Sequence, residues 1–311
     1  MIPVIVKILF IIILMVVFCL LSAMAEKGAG RSAERGTETG DDARFVYFNP
    51  NPTGKLDKKT GKPKKWKKGD CVVRAFSGVL DLSWDEVYSD LCRLGQADSD
   101  SPNSDANIDR YAREKGLVKK RLQSWMTVSE FARTHGGVYF INMGPHAVCV
   151  KNNVIHDCWD CGSGMMKYYY EKLGESEESG LSGSGKQKTL KNSVSKKTDK
   201  DPVVKAFSEV LGIPCEKVYM DLCRVGAEIH DMPDSSKVVA RYAKEMGLVR
   251  KSLPSFIKLS EFAGSHDGTY LVHLNFAMGC NLVCVKEGKV IDDPDGYIGR
   301  RYKVRYYYVK Q

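Results

Sequence analysis

The apolar positions of this chain follow a helical spacing first and a strand spacing later, and the whole change of period happens twice. From Cys71, the residues Val72, Val73, Ala75, Phe76, Val79 and Leu80 trace one face of a helix. Ser83-Trp84-Asp85-Glu86 has the form of a capping box and opens a helix running to about Arg93, with Gly95 as its expected C-cap. A further helix is predicted from about Asp105 to Lys115, stopping at Gly116. Thr127-Val128-Ser129-Glu130 is a second capping box before a short helix. The period then shortens. Val138–Asn142, His146–Lys151, Val154–Asp157 and Met166–Tyr170 read as strands, with Asn152-Asn153 as a two-residue hairpin turn. Upstream, Phe45–Phe48 reads as a short strand, followed by turn chemistry from Asn49 to Gly54. Helices followed by a small antiparallel sheet make an α+β fold with the Cys71 helix packed on the sheet.

After a stretch rich in Gly, Ser, Glu and Lys, read as a linker over 174–200, the pattern begins again. Val87-Tyr88-Ser89-Asp90-Leu91-Cys92-Arg93 returns as Val218-Tyr219-Met220-Asp221-Leu222-Cys223-Arg224. Ser129-Glu130-Phe131-Ala132 returns as Ser260-Glu261-Phe262-Ala263. Such self-similarity predicts two copies of one fold, residues 45–173 and 201–311. The mismatches carry as much information as the matches. Pro202 stands where Cys71 was, and Asn281 where His146 was.

The N-terminus adds a separate expectation. Ile8–Leu21 is apolar and uncharged, and Ala23-Met24-Ala25 follows with the small-x-small pattern of a signal-peptidase site. Residues 1–25 are therefore read as a signal peptide, with an N-terminal membrane anchor as the alternative, and 26–44 as a flexible segment. A secreted protein is expected, with no stable membrane span in the mature chain. The net charge of +9 lies largely in the runs Lys55–Lys68 and Lys186–Lys200. Neither interleaves aromatics as a nucleic-acid platform does, so nucleic acid is not an expected partner. Ten cysteines are present. Removing Cys19 with the leader leaves an odd number, and hence one unpaired thiol. Cys92, Cys149, Cys223 and Cys284 sit among apolar residues and read as core side chains.

Chemistry is concentrated in the first copy. A cysteine at a helix N-terminus lies where unpaired amides and aligned dipoles favour a thiolate. A thiol nucleophile also needs an imidazole and a group to orient it. Cys71 and His146 are the candidate pair, with Asp157 as the third member and Asp160 as its alternative. Asn49 and Asn51 are weak candidates for oxyanion donors, beside the Cys71 amide. The stretch His156-Asp157-Cys158-Trp159-Asp160-Cys161 invites a metal reading, but a lone Cys-x-x-Cys with one nearby histidine lacks a fourth ligand. No metal and no cofactor is expected.

At these residues the chain resembles the papain-like cysteine peptidase superfamily, through the order Cys, His, Asp. Gly69-Asp70-Cys71-Val72-Val73-Arg74-Ala75, His146-Ala147-Val148 and Asp157-Cys158-Trp159-Asp160 are similar to segments of its short bacterial and phage members. The resemblance implies a duplicated papain-like core, the second copy lacking the catalytic pair, and a thiol hydrolase acting on a peptide or protein substrate. Two departures from papain itself stand out. The interval from Cys71 to His146 is short, and Lys65-Trp66-Lys67-Lys68 occupies the place of papain's glutamine. The alternatives are a non-catalytic secreted binding or effector protein made of two such modules, and acyl transfer or transamidation by the same Cys–His site.

Overall fold

A computed structural model describes residues 43–54, 59–60, 68–97, 100–172, 201–275, 281–291 and 302–310. The expected signal peptide, most of the flexible segment, the linker and most of both lysine runs lie outside these. Among the described residues the chain is mixed α+β, with eight helices and two sheets. The first half runs β1 (Arg44–Tyr47), α1 (Cys71–Leu80), α2 (Trp84–Gln96), α3 (Asp105–Glu114), β2 (Leu117–Arg121), α4 (Val128–Thr134), β3 (Val138–Asn142), β4 (Ala147–Lys151), β5 (Val154–Asp157) and β6 (Tyr168–Lys172). The second runs α5 (Pro202–Leu211), α6 (Cys215–Ile229), α7 (Ser236–Glu245), β7 (Leu248–Lys258), α8 (Leu259–Ser265), β8 (Thr269–Leu274), β9 (Asn281–Lys286), β10 (Lys289–Ile291) and β11 (Lys303–Lys310).

The sheets have matching strand orders. The first is β1-β5-β4-β3-β6-β2 and the second β10-β9-β8-β11-β7. Strand for strand they correspond, except that β1 adds an edge to the first. That added strand runs parallel to β5, with Tyr47 opposite Asp157, so the first sheet is not purely antiparallel as expected. Two strands are not legible in the hydrophobic pattern. β2, Leu-Val-Lys-Lys-Arg, buries only its first residue. β7 contains Pro254 and, among the described residues, pairs only with β11. Both are edge strands, where charges and proline guard an open ladder and erase the alternation.

Central strands are covered on both faces, which explains their continuous apolar runs. Phe140 and Cys149 face the helical core with Phe76 and Val79 of α1. Ile141, Val148 and Val150 face Phe131 of α4. Both predicted capping boxes form; Ser83 Oγ accepts from the Glu86 amide at 3.2 Å while Glu86 Oε2 accepts from the Ser83 amide at 2.8 Å. Gly95, expected as a C-cap, lies inside α2 instead, and the cap is Ala97.

The described residues from Ala43 onward form one compact unit. The halves share one helical core, in which Val73, Phe76 and Leu91 join the same cluster as Val204, Phe207 and Leu222. The contact runs through α2 and α6, the equivalent helices of the two halves.

Candidate active site

The site is built where α1 begins and where β4 and β5 meet it. Cys71 is the first residue of α1 and is half-buried. α1 packs directly on β4. His146 immediately precedes β4, held by its carbonyl, which accepts from the Met143 amide at 2.8 Å. Asp157 ends β5, its backbone carbonyl accepting from the Phe48 amide at 2.7 Å. Three separate elements therefore bring Cys71, His146 and Asp157 together.

His146 Nε2 and Asp157 Oδ2 are 2.5 Å apart. Of the two carboxylates considered for this place, Asp157 is the one that meets the imidazole; Asp160 is exposed and accepts from the Gly162 amide at 3.0 Å. With Nε2 engaged by Asp157, Nδ1 is the nitrogen left for a thiol. The Cys161 and Cys71 thiols both lie near enough to the imidazole to act on its protonation. Burial disfavours the imidazolium, but the hydrogen bond to Asp157 and the neighbouring Cys161 and Cys71 thiols outweigh it and raise His146 to about 11. Burial likewise pushes Asp157 up, and the His146 bond and the Arg74 charge bring it below the usual carboxylate range. The two shifts agree on one state, an imidazolium–carboxylate pair. Trp159, half exposed, lies with its ring centroid 5.1 Å from that of His146.

Behind this pair stands a second layer to which the sequence pattern assigns no role. Arg74 bridges two buried carboxylates. Its Nη1 donates to Asp157 Oδ1, and its Nε donates to Asp70 Oδ1 at 3.1 Å. Asp70 Oδ2 also accepts from Trp84 Nε1 at 3.0 Å and from Asn51 Nδ2 at 2.8 Å. A guanidinium suits this task because its fork of donors reaches two acceptors at once. The visible signal is the i, i+4 spacing of Asp70 and Arg74 around Cys71. One consequence concerns the helix end. Asp70 is the N-cap residue of α1, yet its side chain makes no cap bond. The first-turn amides at Cys71 are not capped by this carboxylate.

The two asparagines occupy other places. Asn51 is buried and donates to Asp70 and, at 3.0 Å, to the His230 carbonyl. Neither of its amide hydrogens is left for an oxyanion. Asn49 accepts from the Asn51 amide at 3.2 Å and places its own amide 3.5 Å from the Tyr47 hydroxyl. His230 belongs to the second half, and its ring meets Trp84 edge-on at 5.6 Å. The second half thus touches two of the groups that hold Asp70.

His146, Asp157 and Cys161 each offer a metal-ligand atom, all within 4.8 Å of one another. Among the described residues they are the group that could hold a thiophilic cation, and Asp157 is already engaged by Arg74.

Comparisons with protein-family models, with curated proteins and with solved structures give no match for this chain. Among the described residues no helix is long and apolar enough to cross a membrane.

Proposed function

We propose that this chain is a papain-like thiol hydrolase, a cysteine peptidase whose active site lies in the first half only. The observation that carries this reading is the convergence of Cys71, His146 and Asp157 from a helix N-terminus and two neighbouring strands, with Asp157 fixed by Arg74. Cys71 is the nucleophile. His146, held protonated against Asp157, stands beside the sulfur as a counter-charge and gives its proton to the departing amine. Asp157 fixes the ring and its tautomer. The Cys71 amide, at a helix end not capped by Asp70, is the donor best placed for the oxyanion. Water then releases the acyl group from the sulfur.

The second half, with Pro202 and Asn281 at the equivalent positions, is read as a degenerate copy that supports the site through His230. The apolar run at 8–21 and the Ala-x-Ala that follows support secretion. The substrate class is a peptide or protein.

Two measurements test this. Limiting iodoacetamide at about pH 6, read by mass spectrometry, should label Cys71 selectively, and His146→Ala should remove the selectivity. Cys71→Ala should abolish hydrolysis of a fluorogenic peptide or protein library while leaving the fold intact. Hydrolysis that persists in Cys71→Ala sinks the assignment. A Cys71 that reacts only after unfolding leaves two copies of a binding module.

A further inference from the structure

The contact between the halves has its own symmetry. Tyr88, Cys92 and Gly95 share one face of α2, at i, i+4 and i+7. Tyr219, Cys223 and Gly226 occupy the same face of α6. The two faces meet reciprocally. The Tyr88 hydroxyl lies over Gly226 and the Tyr219 hydroxyl over Gly95, each so close that a Cβ on the glycine would overlap the oxygen. This is why glycine stands inside both helices, at a cost in helix propensity. An exchange of tyrosine for glycine across the crossing defines a local twofold axis, and a residue on such an axis meets its own counterpart. The residues at the middle are Cys92 and Cys223. Both are free thiols that line the same groove at the crossing. The Tyr88 hydroxyl donates to the Cys223 carbonyl at 3.1 Å, fixing the register of the crossing. Both sulfur-bearing residues are nearly buried, at 7% and 6% exposure, and both line a groove of about 550 Å³.

We propose that Cys92 and Cys223 are joined in a disulfide when the chain folds in an oxidising compartment, tying the two halves across the α2–α6 crossing. The chemistry is two thiol–disulfide exchanges with a small disulfide such as oxidised glutathione. One cysteine thiolate attacks the small disulfide, forming a mixed disulfide and releasing one glutathione thiolate. The second cysteine thiolate attacks the protein sulfur of the mixed disulfide and releases the other. The two protons from the cysteines end on the two glutathione thiols. Burial raises the Cys223 thiol well above its ordinary value, so exchange is slow once the crossing has closed, and the bond forms as the halves dock. It closes a loop of about 130 residues, the regime in which chain-entropy arguments give a cross-link its largest effect. It leaves Cys71 as a free thiol.

The test is oxidative refolding of the full chain in mixed oxidised and reduced glutathione, followed by unreduced peptide mapping by mass spectrometry. One cross-linked species joining the Cys92 and Cys223 peptides is expected. The melting temperature should fall by several degrees on reduction, and this fall should vanish in the Cys92→Ala, Cys223→Ala double variant. If both cysteines are alkylated after oxidative refolding, or are linked to other partners, the proposal is overturned. The mapping needs no variant, so it decides the matter even where the double variant fails to fold. It is also independent of any hydrolysis.

Discussion

Asp70 and Asp201 occupy the same position before equivalent helices, and they are put to different uses. Asp201 accepts from the Val203 and Val204 amides, at 2.8 and 3.3 Å, and α5 begins with Pro202. It is an ordinary helix cap. Asp70 makes no cap bond and instead binds Arg74, Trp84 and Asn51. The second half has Lys205 and Cys215 where the first has Arg74 and Trp84. Cys71 and His146 are also replaced, by Pro202 and Asn281. The difference teaches that a capping carboxylate becomes the anchor of a site when donors behind it draw it off the helix end. Among the described residues, four substitutions and the segment from β1 to Asn51 separate the two arrangements, while the order of the other strands stays the same.

The largest effect should come from removing the bridge. Arg74→Ala leaves Asp70 and Asp157 buried, at 0% and 1% side-chain exposure, without their shared cation. Breaking a buried pair by deleting one partner costs about 3–5 kcal/mol, measurable by urea unfolding. Arg74→Lys, which installs the second half's residue, should fall between Arg74→Ala and wild type, since an ammonium lacks the planar fork. A loss below about 1 kcal/mol for Arg74→Ala, the level of an exposed pair, would mean that the bridge does not hold the two carboxylates.

A smaller loss is expected from Trp84→Phe. An aromatic ring still fills much of the site, but Asp70 Oδ2 loses the indole donor. A buried acceptor deprived of a partner costs about 1–3 kcal/mol. The same variant should slow alkylation of Cys71, because the loss reaches Asp157 through Asp70 and Arg74. Stability lost with no change in alkylation would confine Trp84 to packing.

How much of this is legible in the chain depends on whether the signal is local. The helices announce themselves, because capping boxes and a 3.6 period are short-range features of Ser83–Glu86 and Thr127–Glu130. Strands β3, β4 and β5 follow from apolar runs and the Asn152-Asn153 turn. Edge strands β2 and β7 are hidden by charges and proline. The Cys71, His146 and Asp157 trio is readable because copy two lacks two of its members together. Arg74 shows only as part of a motif, since its role depends on a carboxylate 83 positions away. Gly95 mimics a stop signal because its reason, the Tyr219 hydroxyl, comes from the other half. Asn51 mimics an oxyanion donor for the same reason: His230 lies 179 positions further on.

The comparison sharpens with pH. Burial raises Asp201 to about 6, helped by the charge of Asp234 and opposed by its two amide bonds. A carboxyl raised in the folded state favours folding most below its unfolded value and loses that contribution as pH climbs through about 6. Above that, the buried charge is a burden. An asparagine at this position would still cap the helix. Asp201→Asn should therefore stabilise the protein at pH 7.5 by up to about 3 kcal/mol, and the gain should shrink toward zero by pH 4. A gain independent of pH would mean that the charge of Asp201 is not what the variant relieves.

The smallest effect is expected where the cysteine and histidine of the first half are grafted into the second. Pro202→Cys with Asn281→His restores a thiol and an imidazole at the equivalent positions of the second half. Both lie at the edge of the core, so stability should change by less than about 1 kcal/mol. The grafted thiol should nevertheless not be labelled selectively by iodoacetamide at about pH 6. Asp201 still occupies the Val203 and Val204 amides, so the helix end presents a carboxylate rather than free N–H groups. Lys205 stands in place of the guanidinium that bridges two carboxylates in the first half. Adding Lys205→Arg and Cys215→Trp supplies the kind of donors that draw Asp70 away from its helix, and selectivity should rise only then. If the double graft alone is labelled as readily as Cys71, the dyad suffices by itself, and the buried Asp70–Arg74–Asp157 chain serves stability rather than reactivity.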